Sequence, residues 1–298
     1  MRVANAPCSW GVLEFQPAAP AATASRVLDE IAVTGYAGTE LGDWGFLPTD
    51  PLALRDALTR RGLALVGAFV PIALADPAAH EPGLAIAVRT ARLLADAAGV
   101  APVLVLSDEN ASVPARTLNA GRIRPEHGLT DVQWETFARG AERVARAVRG
   151  ATGLRTVFHP HCAGYVETPG EIDALLGRAD PELLGLCLDT GHITYAGGDP
   201  LDVLHRYQNR VWHVHLKDCD PAVRQQACES GWDYHEAIRR GVFCELGKGC
   251  VDIRAVLDRL DRCGYAGWMV VEQDVLPGMG TPEASARRSR EYLGALGV

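Results

Sequence analysis

The heptapeptide LLGLCLD at residues 183–189 is an unbroken apolar run that stops at the carboxylate of Asp189. Two later runs have the same form: VWHVH at 211–215 stops at His215, and WMVVE at 268–272 stops at Glu272. Short runs that are apolar on both faces are typical of strands buried between layers of helices. In α/β folds, ligand-binding residues lie where such strands end. The three runs therefore predict an α/β fold in which these three residues share one site.

Eight strand-like runs alternate with helical patterns along the chain. They cover residues 3–6, 38–41, 63–69, 103–106, 156–159, 184–189, 211–216 and 268–272. No two-residue hairpin turn joins any of them, which favours parallel strands with helical crossovers. The pattern predicts a single-domain (β/α)8 TIM barrel over residues 1–298, with long loops after strands 4 and 7. An open doubly wound sheet is the alternative, but no GxGxxG motif follows the first strand.

Several helix starts are marked by local chemistry. Asp50, Thr168 and Asp199 each precede a proline, which is the pattern of an N-cap followed by the first helical residue. Glu171, three residues after Thr168, completes a capping box. Apolar residues at helical spacing predict further helices over 83–98 and 131–148.

Composition excludes several classes of protein. The chain has 298 residues, of which 48% are hydrophobic and 22% charged, as in a globular protein with a large core. A net charge of -8, without a stripe of basic and aromatic residues, argues against a nucleic-acid partner. The absence of a signal-like start and of a long apolar stretch predicts a cytoplasmic protein that does not bind membranes. The eight cysteines stand singly, which predicts reduced thiols.

The three strand-end residues limit the metal that they can bind. Two carboxylates and one imidazole, without a thiolate, suit Mn, Co or Mg, whereas Fe and Zn stay open. In the predicted barrel, Asp189, His215 and Glu272 fall on strands six, seven and eight, so their side chains can converge.

Motifs spread over nearly the whole chain carry a family resemblance. They are NAPCSWG at 5–11, GYAGTELGDWGFLP at 35–48, FHPHCAGYVETPGEID at 158–173, LGLCLDTGHITYAGGDP at 184–200, HVHLKD at 213–218 and GWMVVEQD at 267–274. Together they resemble the myo-inosose-2 dehydratases, within the xylose-isomerase-like TIM barrel superfamily. The resemblance implies a hydro-lyase of inositol catabolism that converts 2-keto-myo-inositol (scyllo-inosose) to a trihydroxycyclohexanedione through a metal-stabilised enolate. It also implies a divalent metal, usually cobalt or manganese, and in some members glutathione.

The resemblance leaves the fourth metal ligand open. In the superfamily, Glu, Asp, His and Glu from strands five to eight commonly hold the metal, and this chain matches the last three. Strand five ends in FHPH, so His159 stands where relatives have a glutamate. The fourth ligand is His159, His161 or Glu167, of which Glu167 is favoured because a carboxylate neutralises more of the cation's charge.

Dehydration next to a ketone requires a base and an acid beside the metal. Candidates for proton transfer are Glu40 at the end of strand two, Lys217, His161 and His192. Candidates for substrate binding are Asn5, Trp10, Trp44, Arg122 and Lys248. His213 is interpreted as a buried, hydrogen-bonded histidine that supports the site.

Other functions are compatible with the same motifs. A sugar or keto-sugar isomerase or epimerase would use the same metal and a similar intermediate, and only its product would distinguish it. A noncatalytic carbohydrate-binding barrel is the alternative from another class, but it would not need an intact Asp189, His215 and Glu272 set. A DNA-repair nuclease on this fold is disfavoured by the negative charge. The expected partner is a small polyol or keto-cyclitol, and a homo-oligomer is plausible from superfamily habit.

Overall fold

A closed barrel of eight parallel strands forms the centre of the protein. The structure is a computed structural model and describes residues 1–11, 23–276 and 278–298. The barrel strands are β1 (Arg2–Asn5), β2 (Gly38–Glu40), β3 (Ala64–Ile72), β4 (Val103–Asp108), β5 (Arg155–Phe158), β6 (Leu184–Asp189), β7 (Val211–Leu216) and β10 (Trp268–Val271). Each strand pairs with its neighbour in this order, and β10 closes on β1. The predicted TIM barrel is therefore confirmed.

The eight predicted strands are all present, with small differences at their ends. The strand β3 extends to Ile72, three residues beyond the prediction, because it pairs with β4 as far as Asp108. The strand β5 ends at Phe158 and β10 ends at Val271, so His159 and Glu272 are the first residues after their strands.

Most of the helices surround the barrel and pack on its outer face, and the short helices of two long connections lie over its C-terminal end. They are α1 (Ala24–Val33), α2 (Pro51–Thr59), α3 (His80–Ala97), α4 (Pro114–Asn119), α5 (Asp131–Thr152), α6 (Pro169–Leu176), α7 (Thr190–Tyr195), α8 (Pro200–Tyr207), α9 (Pro221–Ser230), α10 (Tyr234–Arg239), α11 (Ile253–Arg262) and α12 (Pro282–Ala295). The predicted caps are confirmed: the side chains of Asp50, Thr168 and Asp199 each accept a hydrogen bond from a backbone N–H in the first helical turn. The capping box of Thr168 and Glu171 is complete.

The core lies between the barrel and this helical layer. Along α5, Phe137, Val144 and Val148 are fully buried, and the ring of Phe137 lies edge-on to Phe158 of β5 with centroids 5.8 Å apart. Burial of such side chains contributes roughly 1.5–3 kcal/mol each and fixes each helix against its strand. The rigid barrel that results holds the strand ends in place.

Two long connections cover the C-terminal end of the barrel. The connection after β4 contains α4, and the connection after β7 contains α9, α10 and a two-stranded antiparallel sheet of β8 (Asp218–Cys219) and β9 (Phe243–Cys244). The two connections share an apolar cluster with the end of α7, in which Tyr195, Tyr234 and Phe243 are buried. This separate cluster gives the loops a core of their own over the strand ends.

Two further expectations concern the cysteines and the membrane. All eight cysteines are free thiols. Within the described ranges, no helix combines the length and the apolar character needed to cross a bilayer.

Candidate active site

Four ionisable side chains converge at the C-terminal end of neighbouring strands. His159 follows β5, Asp189 ends β6, His215 lies near the end of β7, and Glu272 follows β10. The register pairs Asp189 directly with His215. One nitrogen or oxygen atom from each residue lies within 4.8 Å of the others. The barrel thus brings the three strand-end residues of the sequence together with His159.

Polar atoms in this cluster are buried without hydrogen-bond partners. His215 Nδ1 lies 3.4 Å from Glu272 Oε1 and 3.8 Å from Asp189 Oδ2, and His159 Nε2 lies 3.4 Å from the same Asp189 oxygen. Within the part of the chain that the structure describes, neither Asp189 Oδ2 nor His215 Nδ1 has a hydrogen-bond partner. A buried polar atom without a hydrogen-bond partner lowers stability by about 1–3 kcal/mol, so we expect these atoms to bind a ligand.

The donor set fits a divalent cation. Burial opposes ionisation of Glu272, yet the charges of His215 and Lys217 hold its pKa well below the usual range. For Asp189, burial is likewise outweighed by the neighbouring imidazole of His159 and the charge of Lys217, which lower its pKa. Two ionised carboxylates and two imidazoles are the ligand types that Mn, Co, Fe and Zn accept. The residues present therefore fit a metal ion.

Glu167 lies apart from this cluster, which corrects the preference for it as the fourth ligand. Its Oε1 accepts a hydrogen bond from the backbone N–H of Gly121 at 2.7 Å, and its Oε2 accepts one from Ala163 at 2.9 Å. Burial raises the pKa of Glu167 to about 7. The carboxylate joins the loops after β4 and β5, while His159 occupies the fourth position beside Asp189.

Glu40 lines the cavity and is hydrogen-bonded to two histidines, and its role in proton transfer stays a prediction. Its Oε1 lies 2.8 Å from His213 Nε2 and 3.0 Å from His215 Nε2. Burial raises its pKa, but the positive potential of His215 and the hydrogen bonds of both histidines prevail and lower it to about 2. His213 is buried and hydrogen-bonded, as interpreted from the sequence.

Lys217 lies beside the cluster as an ammonium group. Its Nζ is 3.2 Å from Glu272 Oε2 and 3.7 Å from Asp274 Oδ2, and it stands over the ring of Phe243 at 4.8 Å. Burial disfavours the charge, but Asp274 and Glu272 raise the pKa of Lys217 well above its usual value. Lys217 therefore presents a fixed positive charge to the cavity.

The two predicted catalytic histidines differ in their access to the cavity. The His161 ring lines the cavity, and its Nδ1 lies 2.7 Å from the Cys162 carbonyl, so Nδ1 carries the hydrogen and donates it. Burial lowers the pKa of His161 to about 3, and the imidazole is neutral. His192 lies behind it, with ring centroids 4.0 Å apart and its Nδ1 accepting from the Cys162 N–H. His192 is not among the side chains that line the cavity.

The five predicted substrate-binding residues have other partners, and none of them lines the cavity in the described part of the chain. Trp10 Nε1 donates to Glu30 at 2.6 Å, and Asn5 Oδ1 accepts from the Ala6 N–H at 2.8 Å. Trp44 is 41% exposed and packs against the guanidinium of Arg89. These three side chains fix the loops after β1 and β2.

The remaining two members of that set lie on the long connections. Arg122 donates to the Trp232 carbonyl at 2.9 Å, which ties the connection after β4 to the one after β7. Lys248 forms an ion pair with Glu245 at 2.6 Å and its side chain is 61% exposed. Their charged groups bind a backbone carbonyl and a carboxylate of the connection after β7.

Several cavity residues were not identified from the sequence. They are Cys8, Asp43, Asn110, Tyr234 and Asp274. A signal existed for Asp274, which lies two residues beyond Glu272 in GWMVVEQD, and for Cys8 and Asp43, which lie inside quoted motifs. No pattern marked Tyr234, because α10 reaches the cavity only through the folding of the connection after β7.

Known proteins of one family are similar to this chain. The family model for the xylose isomerase-like TIM barrel matches residues 28–296. The chain is 32% identical to the inosose dehydratase of Geobacillus kaustophilus, over 99% of this chain and 94% of that protein. It is 31% identical to the inosose dehydratase of Lacticaseibacillus casei, over 97% and 95%.

A solved structure supports the fold. The probable 3-DHS dehydratase of petrobactin synthesis from Bacillus anthracis aligns over 99% of both chains with a TM-score of 0.71, at 14% identity. Full-length similarity to curated relatives, the matching family model and the observed barrel lead to one conclusion. The chain belongs to the inosose dehydratases, hydro-lyases built on the xylose isomerase-like TIM barrel.

Proposed function

We propose that this protein removes one molecule of water from 2-keto-myo-inositol (scyllo-inosose), with the help of a divalent cation. The observation that carries the proposal is the cluster of His159, Asp189, His215 and Glu272, in which Asp189 Oδ2 and His215 Nδ1 are buried without a hydrogen-bond partner among the described residues. His159, His215 and Glu272 line a cavity together with Lys217. The names of the curated relatives supply the substrate.

The cation site would consist of His159, Asp189, His215 and Glu272. When bound, Mn or Co would supply Lewis-acid chemistry at the ketone and an adjacent hydroxyl of the substrate. Asp189 has a second duty, since its Oδ1 accepts the His192 N–H at 2.7 Å and caps α7. That hydrogen bond orients the carboxylate so that Oδ2 faces the cluster.

The ammonium group of Lys217 would stabilise negative charge that develops on the substrate. Removal of the proton from the carbon next to the ketone leaves an enolate, whose charge lies mainly on oxygen. Lys217 Nζ is held by Glu272 and Asp274 and is already charged before substrate arrives. A preorganised donor of this kind lowers the barrier because it needs no reorientation during the reaction.

The neutral imidazole of His161 would exchange protons with the substrate. Donation from Nδ1 to the Cys162 carbonyl leaves the lone pair on Nε2, the other ring nitrogen. His161 would take the proton from the carbon next to the ketone, and the neighbouring carbon would then lose its hydroxyl. That proton ends on the departing hydroxyl as water, and the resulting enol rearranges to the dione.

The decisive experiment is incubation of metal-reconstituted protein with scyllo-inosose. We expect dione absorbance to appear, together with a product lighter than the substrate by the mass of one water. A product of unchanged mass would instead identify an isomerase or epimerase. No product with Mn, Co or Mg would contradict the proposed reaction.

A further inference from the structure

Three polar side chains are hydrogen-bonded to one another inside the barrel, below the metal-ligand cluster. Glu40 of β2 reaches across the barrel and binds both His213 and His215 of β7. The three side chains are 1–3% exposed. The interior of a TIM barrel is usually filled by branched apolar side chains, so three buried polar groups at this level require a reason.

The contacts determine which nitrogen of His215 carries a hydrogen. Glu40 Oε1 lies within 3.0 Å of Nε2 of both histidines. An ionised carboxylate oxygen can only accept, so both Nε2 atoms donate. In a neutral imidazole the other nitrogen then has a free lone pair. For His215 that nitrogen is Nδ1, which faces Glu272 and Asp189 without a hydrogen-bond partner among the described residues.

The neighbouring strand leaves space for this arrangement. A Cβ atom added at Gly67 of β3 would lie 3.2 Å from Glu40 Oε1 and 3.3 Å from the Val103 carbonyl oxygen. That separation is tighter than ordinary van der Waals contact, so a side chain at residue 67 would displace the carboxylate. The small residue thus preserves the position of Glu40.

We propose that Glu40, held in place by His213, is a positioning residue that fixes the tautomer and orientation of His215 so that Nδ1 is presented as a metal ligand. The inference rests on the proposed function insofar as it takes the cluster to bind a metal. Hydrogen bonds from a ligating histidine to a carboxylate fix the ring and increase its basicity, and their loss typically reduces metal affinity about 10–100-fold.

The tautomer is measured first, in the protein loaded with diamagnetic Zn, because a histidine that binds a metal does so as the neutral imidazole. Long-range proton–nitrogen NMR spectra of the histidine rings, assigned with a His215→Gln variant, should show hydrogen on Nε2 of His215. In Glu40→Gln the carboxylate is lost, and the spectrum should shift toward a mixture of tautomers. Hydrogen on Nδ1 of His215 in the unaltered protein would overturn the proposal.

Metal affinity is measured next, by electron paramagnetic resonance of free Mn during titration, without substrate. We expect Glu40→Gln to bind Mn about 10–100-fold more weakly than the unaltered protein. Gly67→Ala, which keeps the carboxylate but displaces it, should show a smaller loss and provides the test if Glu40→Gln does not fold. The matched control is Asp108→Asn, a buried strand-end carboxylate bound to backbone amides, which should leave Mn affinity unchanged.

The outcomes separate this inference from the proposed function. Equal Mn affinity in the unaltered protein, Glu40→Gln and Gly67→Ala would overturn the positioning role and leave the proposed dehydration intact. Failure of the unaltered protein to bind Mn, Co or Mg would overturn both the metal site and the inference. A protein whose Mn affinity falls in Glu40→Gln but which does not dehydrate scyllo-inosose would support the inference alone.

Discussion

The two halves of the barrel rim carry similar polar residues but use them differently. At the ends of β1 and β4, Asn5 accepts a hydrogen bond from the Ala6 N–H, and Asp108 accepts hydrogen bonds from the Leu74 and Tyr165 N–H groups. At the ends of β6 and β7, Asp189 Oδ2 and His215 Nδ1 accept none within the described residues. Both oxygens of Asp108 hold loops in place, whereas Asp189 Oδ2 and His215 Nδ1 are left for a ligand.

The comparison shows that a polar residue at a strand end is not sufficient evidence for a role in chemistry. Asp108 and Asp189 are both aspartates that end buried strands, and both are almost fully buried. They differ in the partners of their oxygens. Unsatisfied buried atoms distinguish a ligand-binding carboxylate from a structural one, because the folded chain rarely tolerates them without compensation.

The largest expected effect comes from replacing Asp189 with asparagine, with the same replacement at Asp108 as the control. Asp189→Asn keeps an oxygen to cap α7 but loses the charge, and we expect kcat/KM for scyllo-inosose to fall by about 10³-fold or more, together with bound metal. Asp108→Asn should retain activity and metal while losing about 1–3 kcal/mol of stability through a weakened amide contact. Steady-state kinetics, elemental analysis and chemical denaturation measure these effects.

The opposite result would break the comparison between the two halves. If Asp108→Asn lost metal and Asp189→Asn kept it, the ligand cluster would be assigned to the wrong half of the rim. Unchanged turnover in Asp189→Asn would remove that carboxylate from the reaction.

Glu167→Gln tests the carboxylate that binds backbone amides. A glutamate side chain has a pKa near 4.3 in the unfolded chain, whereas burial raises the pKa of Glu167 to about 7 in the folded protein. Between these values the folded protein holds a proton that the unfolded chain has released. Stability from this group is present below about pH 4 and is lost as pH rises to about 7, by up to about 4 kcal/mol.

The glutamine side chain does not titrate, so this part of the pH dependence should disappear in Glu167→Gln while Mn affinity stays unchanged. Chemical denaturation between pH 4.5 and 7.5 measures it. Glu126→Gln, at a side chain that is 63% exposed, is the control and should keep the slope of the unaltered protein. Loss of Mn from Glu167→Gln would restore Glu167 as a metal ligand.

A third test separates two histidines that lie two residues apart. His159→Gln should release the metal, whereas His161→Gln should retain it and lose kcat by about 10²-fold, the usual contribution of a proton-transferring group. Metal content and turnover are measured on the same preparations. Loss of metal from both variants would place His161 in the ligand cluster.

The smallest effect is expected at Lys248, which the sequence suggested as a substrate-binding residue. Its exposed ion pair with Glu245 contributes less than about 1 kcal/mol, so Lys248→Ala should change stability little and leave KM unaltered. A rise in KM would mean that the connection after β7 closes further over the substrate than its contacts indicate.

The sequence was sufficient for the fold and for the placement of the ligand cluster because both depend on local pattern. The period of the apolar runs predicts the strands, and the position of Asp189 at a strand end depends only on its own segment. Caps such as Thr168 with Pro169 and Glu171 are equally local.

The fourth ligand and the substrate-binding set could not be predicted, because they depend on partners distant in sequence. Glu167 was favoured on charge alone, but Gly121, 46 residues away, supplies the N–H that binds it. Glu40 is hydrogen-bonded to His213 and His215, which lie 173 and 175 residues further along the sequence. Tyr234 reaches the cavity only because α10 packs into the second apolar cluster.

Arg116 couples the two loops around the site, so any attempt to re-engineer the site must exchange both loops together. The fully buried guanidinium, from the connection after β4, binds both oxygens of Glu171 at 2.6 and 3.0 Å, and the same carboxylate caps α6 after β5. Exchanging either loop for that of a relative would leave one charge of the pair buried without its partner, at a cost of about 3–5 kcal/mol. Chimeric proteins with altered substrate preference should therefore inherit both segments from the same parent.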